Sequence, residues 1–418
     1  MAQLNDDCFA FGGALLRVDE ALARIDERVF RVVEAETAPL RAAAGRILAR
    51  DVVAAINLPP HANSAVDGYA VAHADLASDR ETELPVGGRA AAGHPLDRPV
   101  RRGEAIRIFT GAPMPDGADT VLMQEDCTVA ADGRVRLKPG IRKGANRRHA
   151  GEDVALGETA LAAGRRLGPA ELGLAAALGC SELRVYRPLR VALLSTGDEV
   201  REPGSELSPG AIYDANRFLL AALLDGLGCA VSDFGIGPDR EAALVDTLTA
   251  ASADHDLIVT SGGVSTGDED HVKAAIERLG ALHFWRLAIK PGRPVALGQV
   301  AGVPLIGLPG NPVAVTVTFA VLARPLILKL AGAGATSPRA FPVRTGFSYR
   351  KKPGRREYLR VQLERDGDVI VAIKYPRDGA GILSSIVHSE GLVVLDETTG
   401  DLAPGATVDF LPFSEVLG

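Results

Sequence analysis

The chain has 418 residues, 47% of them hydrophobic and 24% charged, an ordinary globular composition with room for a few domains at about 100–200 residues each. Lys and Arg number 46 against 53 Asp and Glu, so the net charge is −7 and the footprint of a general nucleic-acid binder is excluded. Aromatic residues make up only 5%, which also argues against base-stacking platforms.

Cys8, Cys127, Cys180 and Cys229 are far apart and form no CxxC pair, so neither a disulfide framework nor a zinc site is expected and a reducing compartment fits best. The first residues are acidic and carry no signal-peptide core, and a cytoplasmic location is expected. Residues 294–323 carry no charge, but Pro294, Pro304, Pro309, Asn311 and Pro312 interrupt them, so no spanning helix of about 20 residues is expected there. They read instead as two buried strands, a loop and the start of a packed helix.

Val18, Leu22, Ile25 and Val29 fall at helical spacing among charged residues, and a second helix is expected over 39–49. From 53 to 148 Gly and Pro are frequent and short apolar runs such as 105–109 and 120–123 appear, the texture of a β-rich insertion. Residues 1–52 and 149–187 are read as a helical and linker domain split by that insertion. Its later part holds a helix that starts at Pro169 and ends at Gly179.

Strands and helices then alternate. Strands are expected over 190–194, 230–234, 257–260, 283–288 and 304–308. Helices are expected over 216–227, 240–251, 270–279 and 312–330, the last kinked at Pro325. This predicts a parallel α/β sheet domain over 188–332. After Gly332 the runs 343–347, 358–363, 369–373, 392–395 and 407–411 predict a C-terminal β-domain over 340–418.

Ligands of an open parallel sheet bind at the carboxyl ends of its strands. In this chain those ends hold Thr196-Gly-Asp-Glu199, Gly235-Ile-Gly-Pro-Asp239, Ser261-Gly-Gly-Val-Ser-Thr-Gly-Asp-Glu-Asp270, Lys290-Pro-Gly-Arg293 and Leu308-Pro-Gly-Asn-Pro312. In the 261–270 loop glycines let a ligand approach the backbone, hydroxyls add donors, and three acidic residues suit Mg²⁺ better than zinc. The same string also serves as a cap and acidic first turn of a helix. Lys290 and Arg293 can receive an oxyanion, or form a polar turn facing water. The Pro309–Pro312 turn opens a helix whose N-terminus can bind anions, or is simply a helix start. The chain has no Walker loop, no GxGxxG and no HExxH.

Seven strings in order carry a family resemblance: Asn63-Ser-Ala-Val-Asp-Gly-Tyr-Ala70, Phe109-Thr-Gly-Ala-Pro-Met-Pro115, Arg148-His-Ala-Gly-Glu-Asp153, Ser195-Thr-Gly-Asp-Glu199, the 261–270 loop, Lys290–Arg293 and Leu308–Pro312. Together they resemble the molybdopterin molybdenumtransferase family (MoeA, or gephyrin E-domain type). The β-domain continues the likeness more weakly through Pro353-Gly-Arg355 and Ser384-Ser385.

The resemblance implies a fold: a multi-domain α/β protein with a molybdopterin-binding type sheet domain, a helical segment, a β-rich insertion and a C-terminal β-barrel-like domain. It implies a reaction, the insertion of molybdate into adenylylated molybdopterin with Mg²⁺-dependent release of AMP. It also implies a homodimer whose sites lie between the α/β domain of one subunit and the insertion of the other. Carried over by motif, the reacting groups are Asp67, Thr110, Asp153, Glu199, Asp239, Asp270 and Lys290. Ser261, Gly262, Gly263, Ser265, Arg293, Pro309, Pro312 and Ser384 bind or shape the pocket, and Glu199, Asp239 and Asp270 serve as the metal-binding carboxylates.

Arg286 and Arg293 stand where the family more often has Lys, and His271 where an aromatic residue is common. An adenylyltransferase acting one step earlier, or a gephyrin-like scaffold, are the alternatives. The first is disfavoured by the insertion and C-terminal domain, the second by the intact charged cleft. Molybdopterin adenylyltransferase and molybdoenzyme maturation proteins are the expected partners beyond the homodimer, with neither nucleic acid nor membrane among them.

Overall fold

The structure, a computed structural model, describes residues 15–237, 240–262 and 271–417. The first helix, Val18–Arg28, has the Glu20 carboxylate accepting from the Arg17 N–H at 3.2 Å, and buries Val18, Ala21 and Ile25. That face packs into the same apolar core as the α/β sheet, alongside Leu189, Leu220 and Leu326. The segments on either side of the insertion hold helices and are tied to each other by short strands. Ala35–Pro39 pairs antiparallel with Glu182–Tyr186, and Val52–Val53 with Thr159–Leu161, which zips the two halves together.

The helix expected over 39–49 is not formed. Pro39 ends a strand, a single 3₁₀ turn covers Leu40–Ala43, and Gly45 at φ 74° stops it. Ile47 and Leu48 then bridge antiparallel to Arg166 and Val185. The expected helix at 169 does form as Pro169–Ala177, with Glu171 capping the Gly168 N–H at 3.0 Å.

The insertion folds as a six-stranded sheet in the order Thr120–Met123, Gly68–Val71, Ala105–Ile108, Thr82–Ala90, Arg134–Leu137, Cys127–Val129. Its two faces bury separate clusters, one around Tyr69, Leu122 and Leu137 and the other around Ala70, Ile106 and Val121.

The α/β sheet runs Ala230–Ile236, Arg190–Ser195, Leu257–Ser261, Val303–Leu308, Pro294–Val300, Gly280–Arg286. The first four strands are parallel, whereas the last two run antiparallel to their neighbours. Pro294–Val300 and Val303–Leu308 are joined by the short turn at Ala301-Gly302, so no crossover helix is needed between them. Along Arg190–Ser195 the side chains alternate: Val191 and Leu193 enter the core with Ala215–Gly226 and the long helix, Ala192 and Leu194 the core with Glu241–Asp254 and His271–Leu279. Helices thus cover both faces.

Pro312–Leu330 is the one helix among the described residues long and apolar enough to cross a membrane, and 89% of that stretch is buried inside the fold. It covers the range expected from the sequence, and its prolines fall at the start and beside a widened turn. Phe319–Ala323 is a π-helical turn in which the Arg324 N–H reaches the Phe319 carbonyl, just before Pro325, which has no N–H to give.

The C-terminal strands close into a five-stranded barrel: Arg356–Asp366, Val369–Lys374, Phe341–Thr345, Thr407–Pro412, Gly391–Leu395 and back to Arg356–Asp366. Ile289–Lys290, from the α/β domain, adds a short parallel strand beside Arg356-Glu357. This pairing sets the basic loop against the barrel.

Candidate active site

Four parallel strands end together. The Thr196 N–H donates to the Ser261 carbonyl at 3.1 Å, the Gly262 N–H to the Leu308 carbonyl at 3.2 Å, and the Gly237 N–H to the Ser195 carbonyl at 2.6 Å. Gly262 has φ +81°, and a Cβ there would lie 2.5 Å from the Thr196 carbonyl oxygen, so the loop before residue 263 is built on a residue without a side chain.

Above these ends lie two adjoining clefts of about 330 and 380 Å³, sharing Thr196, Glu199, Gly262, Gly310 and Asn311. The first adds Ser195, Tyr213, Asn216, Ser261 and Pro312; the second adds Gly292, Pro294 and Pro309. The barrel contributes Gly381 and Leu383 to one and Ala380 to the other.

The floor is polar and undersaturated. Ser195 Oγ, Thr196 Oγ1 and Asn216 Oδ1 are buried with no hydrogen-bond partner among the described residues. Asn216 is aimed by its own amide, whose Nδ2 donates to the Gly310 carbonyl at 2.6 Å. One wall is the strand pair Val200–Arg201 and Ile212–Tyr213. Arg217, 5% exposed, fastens it: the guanidinium reaches Asp214 at 3.0 Å, Asp233 on the sheet edge, and Glu202 on the wall. Burial alone would depress the Arg217 pKa, but these carboxylates outweigh it and the value is raised.

Glu199 stands exposed on the cleft rim. Ser261 is buried, its hydroxyl 3.4 Å from the Pro309 carbonyl; Pro309 lines one cleft and Pro312 the other. Asp239, Gly263, Ser265 and Asp270 lie outside the described residues. Among the described residues no group of three or more His, Cys, Asp or Glu is placed to hold a metal. Among the described residues neither cleft lining includes a His or Cys, and the side-chain groups there that could ligate a cation are oxygens of the hard kind. Burial pushes the Cys127 thiol up to about 11 and the Cys229 thiol up to about 12, so neither is a thiolate at neutral pH.

The basic loop sits beside the clefts. Gly292 lines one, with its absent Cβ position 2.3 Å from Thr318 Oγ1. Arg293 is exposed. Lys290 is engaged: its Nζ donates to Tyr349 Oη and to Glu357 Oε2, both at 3.1 Å, and Tyr349 donates to the same Glu357 oxygen at 2.7 Å. Burial works against the Lys290 charge, but the Tyr349 and Glu357 oxygens prevail and raise its pKa.

In the insertion, Thr110 donates its N–H and its hydroxyl to Asp67, and Asp153 lies exposed on the loop beyond the sheet. No residue of 53–153 lines either cleft. Ser384 is exposed on a short helix and lines neither; the barrel's contribution comes instead from the loop before it.

Sequence reasoning missed Tyr213, Asn216 and Arg217, although Asp214 immediately before Ala215–Gly226 is a recognisable N-cap, its carboxylate accepting from the Arg217 N–H at 3.1 Å. It also missed Tyr349 and Glu357, which only tertiary pairing brings to Lys290.

Residues 192–329 match the family described as a probable molybdopterin binding domain, and the strand-end cleft therefore belongs to a molybdopterin-binding α/β protein. Residues 16–179 match the MoeA N-terminal region (domain I and II), and residues 342–413 the MoeA C-terminal region (domain IV). The chain is 39% identical over 407 residues to the molybdopterin molybdenumtransferase of Haemophilus influenzae, covering 97% of this chain and 100% of that one. It is 36% identical over 392 residues to molybdopterin molybdenumtransferase 2 of Mycobacterium tuberculosis, covering 91% and 96%. Among solved structures, a molybdopterin biosynthesis MoeA protein from Pyrococcus horikoshii superposes with a TM-score of 0.80 at 28% identity, covering 95% of this chain and 100% of that chain. The chain belongs to the molybdopterin molybdenumtransferase (MoeA) family, and it is a transferase of molybdenum cofactor biosynthesis.

Proposed function

We propose that this chain inserts molybdenum from molybdate into adenylylated molybdopterin and releases AMP, as a cytoplasmic homodimer with two shared sites. The observation that carries the reading is the polar floor: Ser195 Oγ and Thr196 Oγ1, buried and unpaired at the ends of parallel strands, beside a basic loop. Such hydroxyls are stabilised by a ligand rich in oxygen atoms.

The adenylylated substrate is anionic, and the Ser195 and Thr196 hydroxyls can donate to its phosphate oxygens while Asn216 Oδ1 accepts from an N–H or O–H group of the substrate, together fixing one orientation. Molybdate, the second substrate, is a tetrahedral oxyanion that Lys290 and Arg293 are charged to receive. Glu199 and the expected carboxylates Asp239 and Asp270 form an oxygen set that suits Mg²⁺, which when bound would neutralise phosphate charge and polarise the bond that releases AMP. The absence of any insertion residue from the cleft lining supports sharing. Asp67, Thr110 and Asp153 then reach the cleft of the partner subunit, giving two equivalent sites in a closed dimer.

The test incubates the purified chain with adenylylated molybdopterin, molybdate and Mg²⁺ and follows AMP. Molybdate-dependent AMP release with formation of molybdenum cofactor is expected. Consumption of ATP with release of pyrophosphate, or no AMP at all, would overturn the reading.

A further inference from the structure

We infer that Glu357 of the barrel is an electrostatic counterweight to Lys290: by neutralising the ammonium it weakens the oxyanion subsite and sets how tightly molybdate is held. The inference rests on the reading of Lys290 as a molybdate-binding residue.

The arrangement is built into the backbone. Lys290 and Glu357 are register partners in the parallel pairing that carries the basic loop onto the barrel. The Glu357 side chain is 4% exposed and that of Lys290 49% exposed. Glu357 Oε2 accepts from Lys290 at 3.1 Å and from Tyr349 at 2.7 Å. A carboxylate so deeply buried is paired with the ammonium beside it, and withdrawing the ammonium would leave an uncompensated buried charge. Lys290 therefore stays docked when an anion arrives.

A docked ammonium still has something to offer. It carries three donors, of which Tyr349 and Glu357 take two. Its half-exposed side chain leaves the third within reach of a ligand. An approaching dianion meets a close ion pair rather than a lone cation, and the carboxylate cancels much of the attraction because the two charges lie nearly the same distance away. The effect is general to tetrahedral dianions, so sulfate feels it as molybdate does.

Two cationic groups of the barrel are committed elsewhere, which leaves Arg293 of the same loop as the remaining charge. Arg356, next in the chain to Glu357, is committed to Asp19 at 2.8 and 3.0 Å and to Glu397 at 3.2 Å. Lys351 is buried, with its Nζ on the Thr399 carbonyl at 3.1 Å.

The experiment measures the KM for molybdate and the Ki for sulfate in the AMP-release assay, with the melting temperature of each variant recorded. Glu357→Gln keeps shape and hydrogen bonds but removes the charge. It is expected to lower both constants by about tenfold without raising kcat. Glu357→Asp keeps the charge and should stay close to the parent protein. Lys290→Gln should raise the KM, and the double variant Lys290→Gln/Glu357→Gln should raise it less, because the orphaned carboxylate is gone. The double variant is a neutral pair, so the comparison survives even where Glu357→Gln alone folds poorly. A KM that rises or stays level in Glu357→Gln, with Lys290→Gln impaired, would overturn the inference alone. A KM unchanged in Lys290→Gln would overturn the reading of Lys290 along with it.

Discussion

Thr110 gives both its backbone N–H and its hydroxyl to a single oxygen of Asp67, at 2.8 and 2.9 Å. The pair joins the residue just before one central strand of the insertion, Gly68–Val71, to the turn that follows its neighbour, Ala105–Ile108. The backbone donor first, then the hydroxyl, hold the Asp67 carboxyl below the usual carboxylate range. The carboxylate is thus ionised throughout the neutral range, with one of its oxygens held by Thr110.

Replacing Thr110 by Val removes the hydroxyl and keeps the N–H. The Asp67 pKa should rise toward its ordinary value yet stay well below neutrality, so ionisation is unaffected there. A roughly tenfold loss of kcat/KM for AMP release is expected, the scale of one hydrogen bond to a charged group. Because the cause is orientation rather than ionisation, the pH–rate profile between 6 and 8 should keep its shape. A new acidic limb appearing in that window would count against this account.

Gly262→Ala tests the strand-end geometry. The added Cβ would fall 2.5 Å from the Thr196 carbonyl at φ +81°. Backbone must move, at a cost of about 1–3 kcal/mol. Urea denaturation should show the lower midpoint, and AMP release should fall further than stability explains, because Thr196 forms the cleft floor.

Arg217 lies between three carboxylates, of which Asp214 is buried with it at 3.0 Å. Arg217→Met leaves Asp214 uncompensated, and a loss of about 3–5 kcal/mol is expected. Arg217→Lys retains the charge but cannot span Asp214, Asp233 and Glu202 together. It should fold while the wall carrying Tyr213 loosens, read as faster hydrogen exchange over residues 200–213.

Asp396 accepts from the N–H and the hydroxyl of both Thr398 and Thr399, at 2.7–2.9 Å, in the turn after Gly391–Leu395. Those hydrogen bonds, the Thr398 hydroxyl foremost, lower its pKa to about 2. A depressed carboxylate stabilises the fold fully above its unfolded value of 3.8 and loses that contribution as pH falls toward about 2. Thermal melts of Asp396→Ala and the parent protein should therefore differ at pH 6 and converge near pH 2. A difference that persists at low pH would mean packing, not charge, is responsible.

The parts of the fold legible in the sequence are those decided locally. Pro169 and Gly179 bracket a helix, and the alternation after Leu189 gives the sheet, because caps and periodicity act within a few residues. The failure over 39–49 is only partly local: Gly45 takes a left-handed conformation, while Ile47 is claimed by Arg166 from the far side of the insertion. The antiparallel edge of the sheet was not legible, since Pro294–Val300 has the same apolar texture as a parallel strand. At the site, Thr196, Ser261 and Pro309 could be placed from the strand-end rule alone. Glu357 could not, because its partner lies 67 residues away and nothing in either string names the other.

The shared-site reading makes its own prediction. Asp67 and Glu199 occupy different domains, and no residue of the insertion lines the clefts beside Glu199. Asp67→Ala and Glu199→Ala should each abolish most AMP release when every chain carries the change. Let the two inactive proteins exchange subunits, with mixed dimers verified by native mass spectrometry. If each cleft takes its insertion from the partner, a mixed dimer has one cleft with both lesions and one with neither. It should then recover about half the activity of an unmodified dimer, as two-fold symmetry requires. If each cleft is completed within its own chain, every site in the mixture keeps one lesion and no activity returns. Silence after verified exchange would remove the shared site while leaving the cleft and its chemistry in place.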